Sequence, residues 1–204
     1  MKAGISNMKK ILLLIIPLII LTSCKRISEK DTLNNFQEKV NSFDNYSCSA
    51  NIIVYSRDKS TTYRVEETFQ KPDKFNIKII EPVESKGCTI IYDGNKVILE
   101  HPSIEQSLSI ENVKTLNKNL FIGHIFQNLQ SSEDYTVETQ TIEGEECLVF
   151  SMELPEKNKY RNIQKIWIKK KGFVPYMMNI IGEKEYIYLE VYYEDFKYDA
   201  IMSK

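Results

Sequence analysis

Apolar and polar residues along this chain fall into three successive patterns. Ile11 to Leu21 is an apolar run interrupted only by Pro17. Leu33, Phe36, Val40 and Phe43 then recur at three- and four-residue steps, the spacing of a single apolar stripe on a helix. Ser28 suits the N-cap of that helix, with Asp31 three residues on as a variant of the capping box. From Tyr46 the period becomes two. Tyr46, Cys48, Ala50, Ile52 and Val54 share one face of a strand, because successive strand side chains point to opposite sides. The chain turns at Arg57-Asp58-Lys59-Ser60, and Tyr63, Val65 and Phe69 carry the pattern onto the next strand. Lys71-Pro72-Asp73-Lys74 is a second turn, followed by Phe75, Ile77 and Ile79. Strands over Cys88 to Tyr92 and Lys96 to Glu100 flank Asp93-Gly94-Asn95, a hairpin signal. Tight turns between successive strands describe an antiparallel meander.

The middle of the chain changes period again. Val113, Leu116, Leu120, Ile125, Phe126 and Leu129 recur at helical spacing, which predicts one broken helix or two short ones with Gly123 at the break. Strand patterns resume over Tyr135 to Ile142, Glu146 to Leu154, Ile163 to Lys170, Tyr176 to Ile181 and Glu185 to Tyr198. Glu143-Gly144-Glu145, Lys171-Gly172 and Gly182-Glu183 mark the turns. Nothing alternates strand with helix as a parallel sheet would. The expected class is α+β, mainly antiparallel β: a large twisted sheet with helices on one face.

The opening segment is of a different kind. Lys9 and Lys10, the apolar run and small residues follow in the order of an export signal, and eleven residues fall short of the 20 or so that span a bilayer. Leu21-Thr22-Ser23-Cys24 resembles the bacterial lipobox. On that reading residues 1–23 are a lipoprotein signal peptide, with Met8 an alternative start. Cleavage falls between Ser23 and Cys24, Cys24 carries an N-acyl diglyceride, residues 24–30 form a lipidated tether, and 31–204 make one domain. The product is extracytoplasmic and held to a membrane by lipid. The remaining 181 residues suffice for one core. They hold 24 basic and 28 acidic residues, a net charge of −4 without a basic stripe, which disfavours nucleic acid as a partner.

Candidate chemistry is sparse. Cys48, Cys88 and Cys147 are odd in number and lack CxxC spacing, so neither a disulfide framework nor a zinc ribbon is indicated. Cys48 and Cys147 fall at strand positions where a free cysteine is a small core residue. His101 and His124 stand apart from each other and from any Cys/His cluster, and the seven glycines form no phosphate loop or nucleophile elbow. Glu66-Glu67 and Glu194-Asp195 are adjacent acids, but neighbours on a strand face opposite ways, so they read as solvated strand charge. Catalytic, metal and cofactor residues are therefore expected to be none. Tyr186, Tyr188, Tyr192, Tyr193 and Tyr198 crowd the last strand, and Trp167 lies two strands earlier. They suit either half-buried strand packing or a concave apolar or partner surface.

These segments carry a resemblance. Phe69-Gln70-Lys71-Pro72-Asp73-Lys74-Phe75 with Ile79-Ile80-Glu81-Pro82, and then Cys88 through Val97, are similar to the entry strands and next hairpin of the LolA/LolB-like lipoprotein-carrier fold. Ile166-Trp167-Ile168, Gly172-Phe173-Val174-Pro175 and Tyr193 through Tyr198 resemble its later strands. The resemblance implies an incomplete, half-open β-barrel of about nine to eleven strands capped by helices. With the lipobox and the tyrosine-rich end, the chain resembles the GerS-like clostridial spore-germination lipoproteins. That implies a non-catalytic partner of a CwlD-like, cortex-modifying amidase in muramic-lactam formation. The broader fold implies the alternative, a lipid or lipoprotein carrier using a concave apolar face. A half-open barrel also leaves strand edges that template other chains. The long last strand, Glu185 to Tyr198, therefore suggests association through edges or faces with the amidase or a second copy.

Overall fold

The computed structural model of this protein describes residues 29–104, 107–111, 121–131 and 134–200. The chain divides between Asn35 and Phe36 into two units. The first contributes the opening turns of helix α1 (Glu29–Ser42), and the second holds everything from Phe36 onward. Ser28, Val113, Leu116 and Leu120 lie outside the described residues.

Eleven strands follow: β1 (Asn45–Tyr55), β2 (Ser60–Gln70), β3 (Lys74–Glu81), β4 (Thr89–Tyr92), β5 (Val97–Glu100) and β6 (Leu108–Ile110), then helix α2 (Ile122–Ser131), and β7 (Tyr135–Ile142), β8 (Glu145–Asn158), β9 (Arg161–Lys169), β10 (Pro175–Ile181) and β11 (Ile187–Tyr198). They form one sheet in the order β6-β5-β4-β3-β2-β1-β11-β10-β9-β8-β7, and the ladders between neighbouring strands are antiparallel. The sheet is unclosed, with β6 and β7 at its ends. It consists of two meanders, β1–β6 and β7–β11, joined where β1 lies beside β11. This corrects the expectation for the last strand. β11 is flanked by β1 and β10 and offers no free edge. Local periodicity cannot show which distant strand a long strand will pair with. The three-residue β6 is also new, because so short a segment carries no readable alternation.

One face of the sheet holds the main core. Tyr46 pairs with Phe69, Phe69 with Phe75, and Phe75 with Tyr92 in adjacent registers, so their rings line up across four strands. Phe36, from α1, packs 5.0 Å from Phe150 and 5.8 Å from Phe126 of α2, measured between ring centroids. Phe43 lies 6.1 Å from Phe126. In the second unit both helices therefore cover the same face, as their single apolar stripes require. The segment before Gly123 that holds Val113, Leu116 and Leu120, on which the expected break depends, lies outside the described residues, and Gly123 itself is helical. It sits in the first turn of α2, where an added Cβ would come 2.5 Å from the Phe69 ring. The glycine lets helix and strand approach.

Candidate functional site

The alternation of β2 places Val65, Glu67 and Phe69 on the same face. All three are buried, and Glu67 is only 4% exposed. Its expected role as solvated strand charge is thus overturned, while its neighbour Glu66 is exposed. Alternation was the signal available, since a residue between two core positions on one strand face must enter the core. Tyr46 donates its hydroxyl proton to Glu67 Oε1, and the Gly123 backbone N–H donates to Tyr46 Oη at 3.0 Å. Burial pushes the Glu67 carboxyl up to about 7, against the lowering effect of the Tyr46 hydrogen bond. Burial, and then the charge of Glu67, drive Tyr46, Cys48 and Tyr193 well above their ordinary values. These phenols and the thiol are neutral near pH 7. The Glu67 carboxyl holds the Tyr46 hydroxyl, and that hydroxyl in turn accepts from the first turn of α2.

The space around this cluster is occupied by side chains of the chain itself. Tyr46 stacks on Phe69 and Phe196 at 5.3 and 4.8 Å, and Ile122, Ile125, Phe126 and Phe150 are fully enclosed. Further along the same face the cover thins. Leu108 and Ile110 of β6 are 58% and 45% exposed. The opposite face carries a smaller apolar group of Cys147, Val149 and Trp167, flanked by Ile142, Tyr176 and Met177. Trp167 Nε1 donates to Gln140 Oε1 at 3.0 Å. Cys48 and Cys147 are buried free thiols, as their strand positions suggested, and Cys88 is a half-buried free thiol.

Tyr186 and the tyrosines of β11 divide between separate places. Tyr193 enters the main core, and Tyr198 packs 5.0 Å from Phe43. Tyr186 and Tyr188 instead line a cleft of about 690 Å³ with Tyr55, Tyr160, Arg57 and Lys159. A second cleft of about 610 Å³ lies between the end of α2 and β7–β9, with Asn128, Tyr135, Glu153 and Lys157 in its wall. No local pattern in the sequence marks the tyrosine cleft. Tyr55 and Tyr160 belong to strands and turns far from β11 in the chain, and only the fold brings them together.

Among the described residues no group of three or more His, Cys, Asp or Glu side chains could hold a metal ion. No helix among them is long and apolar enough to cross a membrane. Glu194 is exposed and accepts from Asn51 Nδ2 at 3.0 Å, and Asp195 is exposed beside it with a left-handed backbone. The lipidation residue, Cys24, lies outside the described residues.

Residues 6–204 match the family of sporulation proteins described as YdcC-like. The chain belongs to the YdcC-like sporulation protein family. Among solved structures, this YdcC-like chain is similar to a chain in the complex of the CwlD amidase from Clostridioides difficile with the GerS lipoprotein. They share 24% identity over 87% of this chain and 99% of that one, with a TM-score of 0.54. An uncharacterized conserved protein from Thermus thermophilus shares 9% identity over 84% and 90% of the two chains, with a TM-score of 0.57. A LolA superfamily protein from Nitrosomonas europaea shares 14% identity over 83% and 94%, with a TM-score of 0.41. No match was found among curated proteins.

Proposed function

We propose that this YdcC-like protein is a membrane-anchored lipoprotein without catalytic activity of its own, acting in sporulation and germination as the partner of a cortex-modifying, CwlD-like amidase. The observation that carries the reading is the interior. Phe36, Phe126, Phe150 and their neighbours fill the helix-covered face, where a carrier of this architecture would need free volume. Family membership supplies the sporulation context, and the similar GerS chain comes from a complex of an amidase with a lipoprotein. Cys24 is the proposed anchor, acylated after cleavage between Ser23 and Cys24, with the domain held outside the cytoplasm at the cell or forespore membrane. Strand β7 adds a means of association. It is eight residues long, pairs with β8 without a bulge, and stands at the end of the sheet, the arrangement from which another strand can extend it. Such extension would serve the amidase or a second copy of this chain.

Affinity purification of the full lipoprotein from sporulating cells tests the partnership. The amidase is expected to accompany it, and adding the purified lipoprotein is expected to raise amidase activity or stability. An amidase indifferent to it would defeat the proposal. Fatty-acid labelling tests the anchor, and label retained by Cys24→Ala would refute it. The carrier reading draws on the other end of the inner face, where Leu108 and Ile110 are exposed. A stoichiometric lipid extracted from the purified protein would favour it.

A further inference from the structure

The tyrosine cleft is separate from the packed interior and is assembled from three turns. Tyr55 and Arg57 come from the end of β1 and the turn into β2, Lys159 and Tyr160 from the turn between β8 and β9, and Tyr186 and Tyr188 from the turn between β10 and β11 and the start of β11. The turns brace one another. Gly182 N–H donates to the Tyr186 carbonyl at 2.9 Å, Glu183 N–H to the Lys159 carbonyl at 3.0 Å, and the Tyr186 hydroxyl to the Ser56 carbonyl at 3.3 Å. A Cβ on Gly182 would stand 2.3 Å from the Lys159 carbonyl and 2.6 Å from the Tyr188 ring, so only glycine permits this closeness.

The rings are held at fixed angles. Tyr188 meets Tyr160 and Tyr186 edge-to-face, each pair with centroids 4.7 Å apart. Tyr160 and Tyr186 nevertheless remain 44% and 43% exposed. Lys159 Nζ lies 4.6 Å from the Tyr160 ring centre and Arg57 provides a second cation, with Asp58 in the same wall and Glu183 near Lys159. Tyr55 donates to Glu190 Oε2 at 2.6 Å, a bond that pushes its phenol up to about 12 and keeps it a neutral donor.

Tyrosine faces beside hydroxyls and the cations Arg57 and Lys159 suit a particular ligand chemistry. The C–H face of a pyranose ring packs on an aromatic face, its hydroxyls and acetamido groups take hydrogen bonds, and appended carboxylates meet Lys and Arg. A volume of this size falls within the range of small-ligand sites. We propose that this cleft binds peptidoglycan, its tyrosine faces on the glycan rings and its cations on the carboxylates of the appended stem peptides, and so holds the amidase's substrate beside its partner. The inference rests on the amidase-partner reading for its choice of glycan.

Sedimentation of the full lipoprotein, in detergent, with insoluble purified peptidoglycan tests it. Wild type is expected to sediment, and Tyr160→Ala/Tyr186→Ala to bind about tenfold more weakly at a temperature where both proteins are folded, having lost two stacking faces. Lys159→Gln is expected to weaken binding to peptidoglycan while leaving binding to uncharged chitin oligomers unaltered, and this arm decides the matter should the double variant melt early. Wild type that stays in the supernatant, or variants that sediment like wild type, would overturn the proposal. So would a double variant that keeps peptidoglycan but loses the amidase, which makes the cleft a protein contact. Amidase co-purification is scored separately. Its failure beside intact glycan binding removes the partner reading and leaves the cleft standing.

Discussion

The two faces of the sheet solve the same problem by different means. The helix-covered face buries its apolar residues under Phe36 and Phe43 at one end of α1 and Phe126 of α2, and it encloses a carboxyl group in doing so. The opposite face has no helix among the described residues, yet Cys147 and Val149 are fully buried there. Their cover comes from the sheet's own long side chains, with Trp167 tethered by Gln140 and flanked by Tyr176 and Met177. Burial on one side depends on tertiary docking of distant segments. On the other it depends on cross-strand neighbours, which the ladder already places within reach.

Substitutions that remove cover should separate the two. Phe126→Ala takes a fully buried ring from the junction of both helices and the sheet, and a loss of about 4 kcal/mol is expected in denaturant unfolding. Trp167→Ala should cost about 3 kcal/mol, toward the lower end for large aromatics, because the ring lies at the rim of a shallow cluster. Equal losses would mean that the outer group is as well enclosed as the inner one.

Glu67 sharpens the contrast through pH. Its pKa is raised on folding from an ordinary 4.5 to about 7, so the folded state holds the proton more tightly than the unfolded one. The sign follows: this contribution is fully present below pH 4.5 and is lost as pH rises to about 7, then stays constant. Glu67→Gln should be more stable than wild type above pH 7 by on the order of 2–3 kcal/mol, with the difference narrowing toward pH 4.5. Unfolding of both proteins in parallel at several pH values measures it, and a constant difference would place the carboxyl in water. The smallest effect is expected at Gln140→Ala, which removes the acceptor of the Trp167 N–H. About 1 kcal/mol should be lost by thermal or denaturant melting.

The strands were legible wherever alternation ran long enough. β7 was expected over the residues it occupies, and β1, β3 and β10 nearly so. Information failed where meaning came from across the molecule. Gly123 reads locally as a helix breaker, and what no local pattern shows is that α2 meets Phe69 there. The charge of Glu67 suggests solvent, while Val65 and Phe69 on either side mark its face as buried. The position of β11 between β1 and β10 depends on a ladder joining opposite ends of the domain, such as Tyr46 with Tyr198, which no local pattern encodes. The tyrosine cleft fails for the same reason, since its three turns are brought together by that ladder and by the β8–β9 hairpin.

The β1–β11 ladder also fixes an order of events. Hairpins such as β1–β2 and β8–β9 can close over short loops, whereas joining the two meanders requires the ends of nearly the whole domain to meet. A chain that emerges N-terminus first therefore carries β1 with one side paired and the other bare until its final residues are free. During that interval the bare side is open to any extended strand nearby, and the domain's vulnerability to misassembly is concentrated in the time before its last strand arrives.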